Sequence, residues 1–113
     1  MAPGDGYVTA PFEVAIQDGE RGPVVKLRGE LDLAVEPLFV QVLDGLSSDG
    51  HAGIRIDLSE LQFIDSRGLH VLLGAWRRWT EAGRTFDIVR GREPVMRVFE
   101  VSGVEDQLPF TDA

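Results

Sequence analysis

Residues 54–73, IRIDLSELQFIDSRGLHVLL, constrain the fold more than any other stretch of this chain. A β-branched apolar run ends in a short loop carrying Asp65 and Ser66, and an amphipathic helix starts immediately afterwards. Such a junction presents one hydroxyl at the positive end of a helix, beside a carboxylate. A serine so placed can be a helix cap, a nucleophile or a phosphorylation switch.

The rest of the chain repeats the alternation of strand and helix. Phe12-Glu13-Val14-Ala15-Ile16 alternates apolar and polar residues, as a strand with one buried face does. The turn cluster Asp18-Gly19-Glu20-Arg21-Gly22 then leads into a second strand at Pro23-Val24-Val25-Lys26-Leu27, which predicts a leading hairpin. Gly29-Glu30-Leu31-Asp32-Leu33 precedes a helix with Pro37 in its first turn, where the missing N–H has no intrahelical partner to lose. Val35, Leu38, Val42 and Leu46 recur at helical spacing and predict its buried face. Ile54 to Leu58 forms the next strand. A helix from about Arg67 to Ala82 places Leu69, Leu72, Leu73 and Trp76 inward and stops at Gly83, with Trp79 expected to be partly exposed. Phe86 to Val89 is a further strand. A short helix from Pro94 to near Gly103 buries Val95, Val98 or Phe99, and Val101, and Gln107 to Phe110 is an edge strand or docking segment. Short connections between alternating elements demand right-handed crossovers and a largely parallel sheet. The fold class is therefore α/β, a mixed, mostly parallel sheet of four to five strands with helices and a leading β-hairpin. In such sheets functional loops sit outside the carboxyl ends of the strands, where Asp65 and Ser66 fall and where Gly29 to Asp32 can join them.

Composition narrows the function classes. A chain of 113 residues is one domain, with 43% apolar and 27% charged residues in ordinary globular proportion. No run approaches the roughly 18 apolar residues of a membrane helix. The opening MAPGDGYVTAPF lacks the basic patch and apolar core of a signal peptide, so a cytoplasmic location is expected. With no cysteine, disulfides, thiolate metal sites and cysteine nucleophiles are excluded. A net charge of −8 repels nucleic acid and anionic lipid and suits a protein partner with a basic face. The first ten residues, rich in Gly, Ala and Pro, read as a flexible segment (1–10) ahead of one domain over 11–113.

Two motifs carry a family resemblance. Gly29-Glu30-Leu31-Asp32-Leu33, followed by Asp57-Leu58-Ser59 with Phe63-Ile64-Asp65-Ser66-Arg67-Gly68-Leu69, resembles the STAS domain of bacterial anti-sigma factor antagonists. The order of elements agrees from about Phe12 to Phe110, as does the Val101-Ser102-Gly103-Val104 ending of the last helix. The resemblance implies that residues 11–113 form a STAS domain and act as a switch rather than as an enzyme. The unphosphorylated form would bind an anti-sigma factor, often itself a serine-protein kinase, and so release the sigma factor; a serine phosphatase would reset it. On that reading Ser66 is the phosphorylated residue, and Asp32, Asp65, Arg67, Gly68 and Leu69 bind the partner. No cofactor, metal, nucleic acid or membrane is implied, and a monomer is the simplest state with a dimer left open. The family usually has a small or hydroxylated residue after the serine, and Arg67 departs from that. In the first helical turn it opposes the macrodipole, and it could pair with Asp65 or with a phosphate on Ser66.

Phosphorylation would add roughly −1.5 to −2 charges and three acceptor oxygens at one point. A helix N-terminus tolerates that anion locally, so the modification changes the docking surface rather than the fold. An acidic or apolar partner face would be repelled. Other readings compete. An Asp-Ser pair before a helix is most often an N-cap, and Asp32 can equally cap the first helix. The serine could serve a ligand-sensing or lipid-transport-complex STAS subunit as a cap or ligand contact. His70 lies one turn beyond Ser66, yet the Gly-x-Ser-x-Gly elbow and an oxyanion loop are missing, which argues against a hydrolase and leaves no catalytic residue. Asp57 and Glu60 read as turn contacts, and His51 lacks ligand-like neighbours. Arg77, Arg78, Arg84, Arg90, Arg92 and Arg97 give the second half a basic bias relative to the first, either as solvated faces or as a complement to a partner.

Overall fold

The computed structural model describes residues 12–112. The expected flexible segment 1–10 lies outside the described residues. Strand β1 (Phe12–Gly19) turns through Glu20-Arg21 into β2 (Gly22–Leu31). Gly22 sits at φ 122°, a conformation closed to residues with a side chain at little strain. Strands β3 (Gly53–Ile64), β4 (Thr85–Val89) and β5 (Phe110–Thr111) complete a sheet of order β1-β2-β3-β4-β5. The β1/β2 pair is antiparallel and all other pairs are parallel. Three helices intervene: α1 (Glu36–Ser48), α2 (Ser66–Glu81) and α3 (Glu93–Val101), with 3-10 turns at Leu33–Val35 and Glu105–Gln107. The α/β class, the leading hairpin and the mostly parallel sheet are those expected from the sequence.

Alternation divides the sheet into two unlike faces. Val25, Leu27, Ile54, Ile56, Leu58, Phe86 and Ile88 are buried on one face with the helices. Lys26, Arg28, Arg55, Asp57 and Asp87 project from the opposite face, which is laced by ion pairs. Glu60 joins them, bonding Lys26 at 3.0 Å and Arg28 at 2.6 Å. These two hydrogen bonds, Lys26 first, hold the Glu60 carboxyl below its ordinary range. Asp57 and Glu60, expected as turn contacts at the end of a strand closing at Leu58, instead lie within β3, which runs on to Ile64; Asp57 Oδ1 accepts the Ser59 N–H at 2.8 Å.

Three packing expectations are corrected. In α1, Phe39, Leu43 and Leu46 are buried, whereas Leu38 is 45% exposed and Val42 is half-buried. Helical spacing alone admits two adjacent apolar stripes, and the one containing Phe39 faces the core. In α2, Trp79 is buried at 4% exposure and Trp76 is half-buried, the reverse of the expectation. Arg84 lies over the Trp79 ring, 5.2 Å from its centroid, while donating to Ser47 Oγ and its carbonyl; it thereby seals the ends of α1 and α2 over the indole. In α3, Val95 and Phe99 are buried but Val101, at the last turn, is 79% exposed.

Candidate functional site

The two motifs, more than thirty residues apart in sequence, meet at one edge of the sheet. The β2/β3 register pairs Leu31 with Ile64, so Asp32 and Asp65 follow directly from neighbouring parallel strands. Each carboxylate caps the helical turn that its own strand feeds. Asp32 Oδ1 accepts from the Ala34 N–H at 2.9 Å, and Asp65 Oδ1 accepts from the Gly68 N–H at 2.8 Å. The cap reading of Asp32 is thus realised, on the 3-10 turn that precedes α1.

Because Asp65 caps α2, Ser66 does not. Ser66 is the first helical residue, exposed, and its hydroxyl has no hydrogen-bond partner among the described residues. The three uses of that hydroxyl are thereby reduced: the cap is a carboxylate, and the serine stands free beside it. Asp65 is half-buried and Arg67 is exposed. Arg67 has no carboxylate within ion-pair distance among the described residues, so the possible pairing with Asp65 is not formed. Gly68 and Leu69 are buried; they place the serine rather than present surface. A Cβ on Gly68 would lie 2.1 Å from the Leu31 carbonyl oxygen and 2.9 Å from Ile64 Cγ1. The missing side chain is what lets the start of α2 close on the end of β2.

Exposed apolar groups flank this edge, and sequence reasoning did not single them out as site residues. Leu33 and Phe63 are exposed, and they neighbour Asp32 and Asp65 along the chain. Phe63 is turned out by a bulge: Gly29 pairs with Leu61 but Glu30 with Phe63, so one extra residue enters β3. Leu61 and Ile64 then both face the core. Simple alternation could not have found this, since it places Phe63 on the same side as Leu61.

Ser66 lines neither of the two principal concavities. The larger, about 530 Å³, lies at the opposite end of the strands between Gly19–Gly22, Arg55 and Asp87. The smaller lies by Arg28, Glu60 and Arg92. What surrounds Ser66 is a surface of charge and apolar patches, the chemistry of a macromolecular contact. No helix among the described residues is long and apolar enough to cross a membrane.

Substituting Asp65 with Ala should remove the α2 cap and cost about 1 kcal/mol, with Asn retaining most of the stability. Urea unfolding of the two variants measures this, and equal losses would assign the effect to charge rather than to the cap.

Comparison with known proteins places the chain in a family. Residues 14–110 match the model of a family described as "Mlab, STAS domain". An anti-sigma-B factor antagonist of Bacillus subtilis (strain 168) is 28% identical over 95 residues, covering 84% of this chain and 86% of the relative. The anti-sigma-B factor antagonist of Staphylococcus aureus (strain NCTC 8325 / PS 47) is 29% identical over 82 residues, covering 73% and 76%. The crystal structure of an anti-sigma factor antagonist from Mycobacterium paratuberculosis superposes with a TM-score of 0.79 at 25% identity, covering 92% of this chain and 90% of that one.

Proposed function

This chain belongs to the STAS domain family, and on that premise we propose that it is an anti-sigma factor antagonist switched at Ser66. In its unphosphorylated form it binds an anti-sigma factor that is also a serine-protein kinase, and so releases the sigma factor. Phosphorylation of Ser66 by that kinase ends the binding, and a serine phosphatase restores it. The chain is the substrate of this chemistry rather than its catalyst.

The observation that carries the reading is the division of labour between Asp65 and Ser66. A serine serving only as a cap would have its oxygen on the backbone N–H groups of the first turn. Here the Asp65 carboxylate holds that position and the Ser66 hydroxyl is exposed and unengaged. A kinase can therefore reach the hydroxyl without unwinding α2. The resulting phosphate would sit where free N–H groups and the helix macrodipole favour an anion, so the fold survives modification. The partner, in contrast, must desolvate a dianion to dock over Leu33, Phe63 and Asp32, and that cost disfavours the complex.

The test is direct. Incubated with ATP and a purified anti-sigma kinase from the same organism, the chain should gain one phosphate by intact mass, and Ser66→Ala should gain none. Ser66→Glu should bind that kinase at least tenfold more weakly than Ser66→Ala. Phosphate at another residue, or equal affinity of the two variants, would overturn the switch.

A further inference from the structure

The net charge of −8 suggests a partner with a basic face, but the surface that begins at Ser66 has the opposite sign. At 3.6 residues per turn, Ser66, Arg67, His70, Arg77 and Arg78 fall on one arc of about 120° along α2. All five are exposed. Glu81, at the C-terminal end of the helix, is the only acidic residue α2 contains, so the helix carries three arginines against one carboxylate. None of Arg67, His70, Arg77 and Arg78 forms an ion pair among the described residues.

Other arginines of the second half are engaged, Arg92 excepted. Arg84 is fixed on Trp79 and Ser47, Arg90 on Glu105 and Asp112, and Arg97 on Glu93. The α2 cations are thus set apart, in a chain with acidic groups to spare. Helix stability does not account for Arg67, which in the first turn works against the macrodipole, whereas Arg78 in the last turn suits it. Gly74 adds to the pattern. It costs roughly 1 kcal/mol of helix propensity relative to alanine, and a Cβ there would stand 3.5 Å from an Arg78 guanidinium nitrogen. That is an ordinary van der Waals distance, and it places the Arg78 guanidinium back along the helix beside Gly74.

We infer that the outer face of α2 is a cationic docking stripe for an acidic surface on the protein partner, with Ser66 at its N-terminal end. This rests on the proposed function for the identity of the partner as an anti-sigma factor, and it goes further in stating the charge that partner must present. It also supplies an electrostatic reason for switching. Two added negative charges at one end of a stripe of three arginines leave little net attraction for an acidic face. The chain's overall negative charge keeps extended polyanions away, while a compact acidic patch on the partner can seat against the stripe.

The experiment uses Arg77→Glu/Arg78→Glu, placed roughly 17 Å along the helix from Ser66 at 1.5 Å per residue. Affinity is measured against each purified anti-sigma factor of the source organism, in parallel with wild type, Ser66→Glu and Arg97→Glu on α3. The double variant should bind at least tenfold more weakly at ~50 mM salt, and the gap should narrow by ~0.5 M as charges are screened. Its melting temperature should stay within a few degrees of wild type, and Arg97→Glu should bind normally. Wild-type affinity of the double variant would overturn the stripe, whereas Ser66→Glu would still report on the switch. Loss of binding in the double variant with none in Ser66→Glu would keep the stripe and overturn the switch. Failure of the wild-type chain to bind any anti-sigma factor, or tighter binding to duplex DNA or anionic vesicles, would overturn the inference.

Discussion

Replacing Gly68 by alanine should destabilise the chain by about 3 kcal/mol, although alanine is the better helix former by roughly 1 kcal/mol. The sign is decided by space. A methyl group there would lie 2.1 Å from the Leu31 carbonyl oxygen and 2.8 Å from its carbon, and these are backbone atoms of a central strand that cannot rotate away. Relief requires the start of α2 to lift from β2, which moves Asp65 and Ser66 with it. At about 4 °C per kcal/mol for a domain of this size, the melting temperature should fall by roughly 12 °C. Gly45 provides the control within the same fold. It is exposed in α1, with nothing within 4 Å of its would-be Cβ, so Gly45→Ala should stabilise by about 0.5–1 kcal/mol. Thermal unfolding of both variants decides the matter; a Gly68→Ala chain as stable as wild type would mean that α2 does not close on β2 in this way.

Phe99→Ala should cost about 3–5 kcal/mol, the largest loss expected from a single substitution here. Phe99 is fully buried, and its ring meets Phe110 edge to face at 5.2 Å with an interplanar angle of 87°. The pair fastens α3 to the two-residue strand β5, which is otherwise held by Arg90 over the Phe110 ring and by backbone bonds such as Ile88 N–H to the Pro109 carbonyl at 3.1 Å. Removing the ring opens a cavity and frees the sheet edge together, so the Ile88 amide should lose hydrogen-exchange protection ahead of those in β2. Val101→Ala, at the exposed end of the same helix, should stay within about 0.5 kcal/mol of wild type. Urea unfolding compares the two.

These substitutions show where sequence patterns carry information and where they stop. The hairpin, the strand-helix alternation and the parallel sheet were legible because period-two and period-3.6 patterns, punctuated by Gly and Pro, report local structure directly. Which of two neighbouring apolar stripes faces inward was not legible. Leu38 and Phe39 differ by one position on α1, as Trp76 and Trp79 do by one turn on α2, and only packing against the rest of the fold separates them. Phe63 was hidden for a second reason, because a bulge reverses the side of the sheet on which a residue emerges.

The candidate site divides along the same line. The Asp-Ser junction, the Gly-Glu-Leu-Asp motif, the family and the class of fold follow from the sequence by itself, since each depends on residue types at short, fixed spacing. Tertiary structure alone decided that Asp32 and Asp65 leave adjacent strands, that Asp65 rather than Ser66 caps the helix, and that unpaired arginines line the face beyond the serine. Parallel strand pairing joins segments distant in sequence, and whether an ion pair forms depends on distances across the fold. The net charge of the whole chain points to a basic partner; the arrangement of those charges around α2 points to an acidic one.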